Sequence, residues 1–469
     1  MAPVADDAAA ATVGEALVAV GFTEDAIDEL LGDDAWSTAL EDVPAHERRL
    51  PDVPVATAIR LFFLELPVAR REAERAFGKP AVAALGRTGL ADVGAEVVPR
   101  ARIAPVDGVL LASDRLSTNP VDDPPDYVST YSPTARLCDL LTPRPRVERA
   151  LDIGTGNGVH ALLAAGHSER VVATDVNPRA LAFTSLNATL SGLDNVECRR
   201  GSLFDPVEGE RFGLITCNAP YVVSPERRWS YRDGALDGDE LSERVVRSGA
   251  AHLAEDGFAT LCVTWLGDAE DAPDERVVSW VEGSGCDAWI LPLDEASPLE
   301  YAERWNAHLS GDAAAYGDAL DRWTSYLDRL GARVLTEGAV LLHRRPGANT
   351  VRIDEVDEDE LDFADEQIRR AFESRATLDG RDIRDARLAP AAGLHVETTS
   401  RRGRAVARRV VLEAGTRPEL SASARAAEVV SSLDGRRTLR ELDAPREAVT
   451  LCRELLELGA LRLVDFEKS

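Results

Sequence analysis

The chain has 469 residues, 45 % of them hydrophobic and 29 % charged, which suits two or three globular cores and excludes wholesale disorder and fibrous repeats. Its formal charge of −29 makes the average surface repel phosphate backbones and acidic headgroups, so a nucleic-acid contact needs a local basic patch. No apolar run approaches the roughly 20 residues of a membrane helix. Asp6 and Asp7 give the N-terminus the wrong charge order for a secretory signal, so a cytoplasmic protein without membrane contact is expected.

In chain order, residues 1–117 read as a mostly helical, substrate-positioning domain. Thr23 is placed to cap a helix running through Asp28 to Leu31, which Gly32 ends. Ile59 to Phe63, Ala69 to Phe77 and Ala81 to Leu85 read as three short helices broken at Pro67 and Pro80. Stretches around Val97, Ile103 and Val109 to Leu111 read as strands joined through Pro105 and Gly108. Three helices and a hairpin would make a winged-helix arrangement. The segment is locally basic through Arg60, Arg70, Arg71, Arg75, Lys79, Arg87, Arg100 and Arg102.

A proline-rich connector, Asn119 to Pro125, precedes residues 118–347, where strand and helix signals alternate and predict an α/β domain with a mostly parallel sheet. Strands are expected at Ala150–Ile153, Val171–Thr174, Leu214–Cys217, Phe258–Trp265 and Trp289–Pro292. A final pair, Ala332–Leu335 and Ala339–His343, joins at Gly338. Leu299 to Leu330 reads as a long helical insertion. The acidic run Asp354 to Glu360 marks a boundary, and residues 348–469 read as a C-terminal α+β domain with a winged-helix-like form open to it. Within that domain Thr438 and Glu441 pair as a capping box, Asp443 and Pro445 open a helix that Gly459 ends, and Leu461 to Val464 follow as a strand.

The six cysteines, Cys138, Cys198, Cys217, Cys262, Cys286 and Cys452, show no C-x-x-C pair and no histidine at zinc-ligand spacing. They read as reduced thiols, and no metal site is expected.

The stretch that carries chemistry is LDIGTGNG, with Asp152, Gly154, Thr155, Gly156 and Gly158, between a strand and a helix beginning near Val159. Such glycines let backbone approach a ligand closely. Asp175, some twenty residues on at the end of the next strand, is placed to accept hydrogen bonds from two ribose hydroxyls. The G-x-G-x-G spacing differs from the G-x-G-x-x-G of pyrophosphate-binding turns, so a ligand without phosphates fits better. A third feature, Asn218-Ala219-Pro220-Tyr221, follows a later strand. An amide or aryl amino nitrogen is a poor nucleophile because its lone pair is delocalised. Acceptor oxygens on Asn218 and on the Ala219 carbonyl would orient that nitrogen and stabilise its developing charge, with Tyr221 as a flat wall.

These residues resemble the class I S-adenosylmethionine-dependent methyltransferases, whose fold is a doubly wound, Rossmann-like α/β sheet. NAPY is similar to the N-P-P-Y motif of the branch that methylates planar amino groups, which includes the release-factor glutamine methyltransferases and the methyltransferases of adenine or guanine amino groups, and the chain resembles the release-factor glutamine methyltransferase and small methyltransferase domain family. YRDGALDGDEL (Tyr231 to Leu241) resembles the segment after that motif in the glutamine enzymes, and YSPTARL (Tyr131 to Leu137) a segment that closes over the cofactor. The resemblance spans residues 118 to 347. It implies that Asp152, Gly154, Thr155, Gly156, Gly158, Asp175, Ser202, Leu203 and Asn218 bind S-adenosyl-L-methionine, and that Asn218, Ala219, Pro220 and Tyr221 are catalytic.

Two departures stand out. Ala219 replaces the motif's first proline, and Ser202 stands where an acidic residue often recognises adenine, leaving Asp205 or backbone near Leu203 for that task. The acceptor is expected to be a macromolecule. A glutamine amide on a protein, such as a translation release factor, is the first reading. An exocyclic amino group of adenine or guanine in RNA or DNA is the second, favoured by the basic segment 60–102, and a non-catalytic cofactor-binding module is the third. His160 and His167 read as ordinary helix residues. Arg227, Arg228 and Trp229 read equally as a substrate lip or a solvated loop, and Arg401, Arg402, Arg404, Arg408 and Arg409 as an exposed basic strand.

Overall fold

A computed structural model describes residues 5–464 except 33–34, 37–41, 118–122, 219, 227, 229–231, 233–235, 269–272, 359–360, 379–381 and 402–403. Of the residues singled out above, Asn119, Ala219, Arg227, Trp229, Tyr231, Glu360 and Arg402 lie outside the described residues, and of Arg404 only the backbone is described.

The centre of the chain is an eight-stranded sheet of β1 (Val147–Ile153), β2 (Ser168–Asp175), β3 (Val196–Arg200), β4 (Phe212–Cys217), β5 (Leu253–Gly267), β6 (Cys286–Ala296), β7 (Val334–Arg344) and β8 (Val351–Ile353). Their spatial order is β8-β6-β7-β5-β4-β1-β2-β3. β1 to β5 run parallel, and β7 lies antiparallel between β5 and β6. Strand order reverses between β1 and β4, the switch point where doubly wound sheets bind ligands. This is the class I methyltransferase sheet that the resemblance implies.

Residues along the inner strands alternate between two cores, as a period of two requires. Ala150, Leu214, Phe258 and Leu341 face one layer with the helix Val159–Ala165. Leu151, Ile215, Ala259 and Leu342 face the other, with Val245 and Val246 of helix Glu240–His252.

Three expectations change. The pair of strands expected to meet at Gly338 is the single strand β7, running straight through it. A Cβ on Gly338 would lie 2.5 Å from the Leu291 carbonyl oxygen and 2.6 Å from the Trp265 ring, so the glycine serves close packing under an indole, not a turn. The insertion expected as one long helix is two, Pro298–Trp305 and Ala313–Arg329, the first opened by a Ser297–Glu300 capping box. The sheet also runs past residue 347: β8 pairs with β6, and Asp354 of the acidic run accepts a bond from the Trp289 indole at 2.8 Å.

At the N-terminus Thr23 caps the helix Glu24–Leu31. The expected breaks are fewer, because Arg70–Thr88 is one helical element kinked at Gly78, whose φ is 80°. Pro80 then falls in the first turn after the kink, where no amide hydrogen is missed. Among the described residues, helices accompany a three-stranded sheet and a separate hairpin, Arg102–Val106 with Val109–Ser113, which turns at Asp107–Gly108. That hairpin is tied to helix Pro178–Leu190: the Asn187 side chain accepts from Ala112 N at 2.9 Å and donates to its carbonyl at 2.8 Å. Phe183, Leu186 and Leu190 of this helix complete the N-terminal core.

The C-terminal part has a three-stranded sheet, Leu394–Arg401, Arg404–Leu412 and Glu419–Ser421, beside helices Ala424–Ser431 and Arg446–Glu457. Thr438 and Glu441 bond each other's backbone in a turn, not at a helix start. Leu461–Leu463 pairs with Leu388–Pro390.

Gly338→Ala should destabilise the protein by about 1–3 kcal/mol, the cost of overpacking a filled core. Urea unfolding would measure it, and an unchanged midpoint would refute the packing account.

Candidate functional site

The glycine turn leaves β1 with Gly154, Gly156 and Gly158 all at positive φ (66°, 57° and 91°). Each glycine has its own surroundings. A Cβ on Gly156 would have only the Gly154 carbonyl, at 4.0 Å, near it, so this backbone is open to a ligand. One on Gly158 would strike Thr184 at 2.8 Å, so the third glycine seats the turn against helix Pro178–Leu190.

Asp152 lies beneath the turn, 1 % exposed, and accepts from the hydroxyls of Thr155 (2.7 Å) and Thr216 (2.9 Å). Burial pushes its carboxyl above the ordinary range while those hydroxyls pull the other way. It therefore ties the turn to β4 through Thr216. Asp175 closes the turn from the next strand: one carboxylate oxygen accepts from Gly156 N at 3.0 Å, the other from Asn177 N at 2.8 Å. A carboxylate has about four acceptor positions, so these two bonds leave capacity for a ligand's hydroxyls. The open backbone at Gly156 and this carboxylate offer the space and the acceptors that a ribose's hydroxyls would fit.

Ser202 and Leu203 follow β3. Gly201 N donates to the Asp175 carbonyl at 3.1 Å, and the Leu203 carbonyl accepts from Thr174 Oγ1 at 3.3 Å, so this corner docks one strand beyond Asp175. The connector crosses the same end of the sheet. Asn157 Nδ2 donates to the Ser129 carbonyl (3.1 Å), and Asn177 Nδ2 to the Asp126 carbonyl (3.0 Å). Asp126 and Ser129 are thus fastened beside the turn, just ahead of YSPTARL. His160 is buried, and His167 Nδ1 bonds the Pro145 carbonyl at 2.8 Å, outside this cradle.

Asn218 comes directly after Cys217, which pairs with Ile153 at the end of β1. The motif therefore begins beside the glycine turn. Pro220 and Tyr221 are half-buried. Burial raises the Tyr221 phenol well above the ordinary tyrosine range.

Beyond the motif the chain is fastened to the two insertion helices. Val223 N donates to the Tyr301 hydroxyl at 3.1 Å and Gly238 N to the Tyr326 hydroxyl at 2.8 Å. Between these anchors Glu226 pairs with Arg232 (3.3 Å) and Arg322 (3.0 Å), and Arg232 lies over the Trp323 ring at 5.7 Å. Sequence reasoning did not assign these tyrosines, since nothing local distinguishes them from other helix residues. Glu337, on β7, accepts from the Trp305 indole at 3.2 Å, and Arg304 lies 3.8 Å away. Burial pushes its carboxyl up to about 6, opposed by Arg304 and Trp305 and helped by Asp294 and Glu358.

Comparison with known proteins places this geometry in a class: residues 133–264 match the methyltransferase small domain. Residues 19–102 match a domain of unknown function (DUF7059). The central segment is related to glutamine methyltransferases. The ribosomal protein uL3 glutamine methyltransferase of Bradyrhizobium diazoefficiens is 35 % identical over 170 residues, which cover 30 % of this chain and 52 % of that protein. The release factor glutamine methyltransferase of Deinococcus radiodurans is 46 % identical over 149 residues, 29 % of this chain and 53 % of that protein. The chain spans about half the length of these relatives. Among solved structures, the YcgJ protein from Bacillus subtilis aligns with 46 % of this chain and all of its own at 14 % identity, with a TM-score of 0.30; the fold assignment rests on the strand order itself.

Because Glu337 is raised in the folded protein, its contribution to stability is present below the ordinary glutamate range and is lost as pH rises through about 6. Glu337→Gln should therefore stabilise the protein by about 1–2 kcal/mol at neutral pH and not at pH 4. Urea midpoints at the two pH values would check this, and a gain independent of pH would refute it.

Proposed function

We propose that the chain is an S-adenosylmethionine-dependent N-methyltransferase acting on a planar-group nitrogen, with a glutamine side-chain amide of a protein of the translation apparatus as acceptor. The observation that carries the reading is the convergence of three features at the sheet's switch point. These are a glycine turn open to a ligand, Asp175 bonded to it, and Asn218 one residue beyond the paired end of β4. The relatives named as glutamine methyltransferases align with this same part of the chain.

In this reading the backbone of Gly154 to Gly156 and the Asp175 carboxylate hold the cofactor's ribose side, with Thr155 and Asp152 fixing the turn. Ser202 and Leu203 border the adenine side. S-adenosylmethionine, when bound, supplies an electrophilic methyl group. The Asn218 side-chain oxygen and the Ala219 carbonyl accept the two amide hydrogens of the acceptor, which turns the nitrogen's lone-pair face toward that methyl and stabilises the charge it gains. Tyr221 limits the acceptor's plane as a flat aromatic wall.

The exocyclic amino group of a nucleic acid is the weaker reading. The basic segment that favoured it is largely neutralised: Arg60 pairs with Glu72, Arg70 with Glu74, Arg75 with Asp52, Arg87 with Asp6 and Arg100 with Asp92.

Three outcomes are expected. Asp175→Ala should weaken S-adenosylhomocysteine binding by about 1.5–3 kcal/mol, the scale of bonds to a charged acceptor, as calorimetry would show. Asn218→Ala should leave that affinity nearly intact and slow methyl transfer by about 10²–10³, the scale of losing one preorganised group. Radiolabelled S-adenosylmethionine incubated with cell extract should label material sensitive to protease and resistant to nuclease; label released by nuclease, or none at all, would refute the protein-acceptor reading.

A further inference from the structure

Two buried asparagines stand where three stretches of backbone meet. Asn187, on helix Pro178–Leu190, is 0 % exposed, and a carboxamide offers two N–H donors and one carbonyl oxygen held in a single plane. One Nδ2 bond goes to the Ala112 carbonyl of the N-terminal hairpin and one to the Asn157 carbonyl of the glycine turn, both at 2.8 Å, while Oδ1 accepts from Ala112 N at 2.9 Å. Both donors are therefore spent, on two different parts of the chain. Asn157, also buried, extends the path: its Nδ2 donates to the Ser129 carbonyl of the connector, and its Oδ1 accepts from Val159 N, at the start of the next helix, both at 3.1 Å.

One turn before Asn187, the buried Thr184 hydroxyl donates to the Gly156 carbonyl at 3.1 Å; one turn after it, Ser191 Oγ accepts from Leu110 N at 2.9 Å. Residues three and four apart share a helix face, so a single face touches the glycine turn at one end and the hairpin at the other. Asn187 touches both. The hairpin in turn belongs to the N-terminal core through Ile103, Ala104, Leu110 and Ala112, and it moves with that core. Displacing Ala112 either draws the planar carboxamide away from Asn157 or leaves buried amide groups without partners, a state that folded proteins avoid.

We infer that Asn187 is a positioning residue that couples the N-terminal unit to the cofactor turn, so that this unit braces Gly156 and Asn157 in the shape a ligand meets. The naming of the ligand rests on the proposed methyltransferase reading; the mechanical link does not. Coupling between two sites is reciprocal. Loosening the hairpin loosens the turn, and filling the turn steadies the hairpin.

Hydrogen exchange followed by mass spectrometry on the full-length protein reads both directions, in segments 109–113 and 154–159. Gly108, at the hairpin's turn, has a φ of 84° and would have nothing within 4 Å of a Cβ, so Gly108→Ala strains the hairpin without a clash. In the absence of any ligand it should speed exchange in 154–159 by at least about fivefold, the low end of ordinary coupling. In an Asn187→Ala background, or Asn187→Ser should the alanine variant fail to fold, the same change should leave that segment unmoved. Saturating S-adenosylhomocysteine should slow exchange in 109–113 of the wild-type chain by a similar factor, and in the Asn187 variant protect 154–159 alone. A residue with a merely structural role would raise exchange in both segments and leave their responses to each other intact. Exchange in 154–159 indifferent to Gly108→Ala, equally responsive once Asn187 is replaced, or a hairpin unmoved when S-adenosylhomocysteine protects the turn, would each overturn the coupling. S-adenosylhomocysteine that leaves 154–159 unprotected in the wild-type chain would sink the cofactor reading instead, and the ligand-free comparison still decides the coupling.

Discussion

The bond from Gly156 N–H to the Asp175 carboxylate, 3.0 Å long, is the constraint around which the site is arranged. It joins the ends of two neighbouring strands, and it requires Gly156 at a φ of 57°, a conformation that side chains with a Cβ resist. Everything beneath it holds the turn in that shape. Asp152 is clamped by Thr155 and Thr216 from two different segments, and Gly158 lets the turn lie against Thr184. The helix that carries Thr184 also carries Asn187, which fastens the N-terminal hairpin. The N-terminal helices are thus coupled to the glycine turn through one helix of the central domain.

The central sheet was largely legible because its strands are apolar runs covered on both faces, and such runs are recognisable without neighbours. β8, three residues with Val351 and Ile353 partly exposed at the edge, gives no such signal, and the boundary expected at residue 347 fell short of it. Gly338 misled for the opposite reason. A glycine between two apolar stretches ordinarily signals a turn, and only the position of Trp265 on the neighbouring strand explains why backbone is needed there instead.

Site residues divide in the same way. Asp152, Asp175 and Asn218 were legible because each sits at a strand end in a short motif, so local order implies spatial order. Tyr301, Tyr326 and Glu337 were not, because their significance comes from contacts 78 and 88 residues away in sequence for the two tyrosines, and 32 away for the glutamate. Hydroxyl groups that accept backbone N–H bonds leave no pattern in the residues around them.

The departure at position 219 gains meaning from these anchors. A proline there would restrict the backbone before and at the residue; alanine gives up that restriction. Four residues on, Val223 is held by Tyr301, whose helix is tied to the sheet through Trp305 and Glu337. The chain after the motif is therefore restrained from the insertion as well. That tie is the Trp305 indole bond to Glu337 on β7, while the cradle at Gly156 and Asp175 is built from separate bonds.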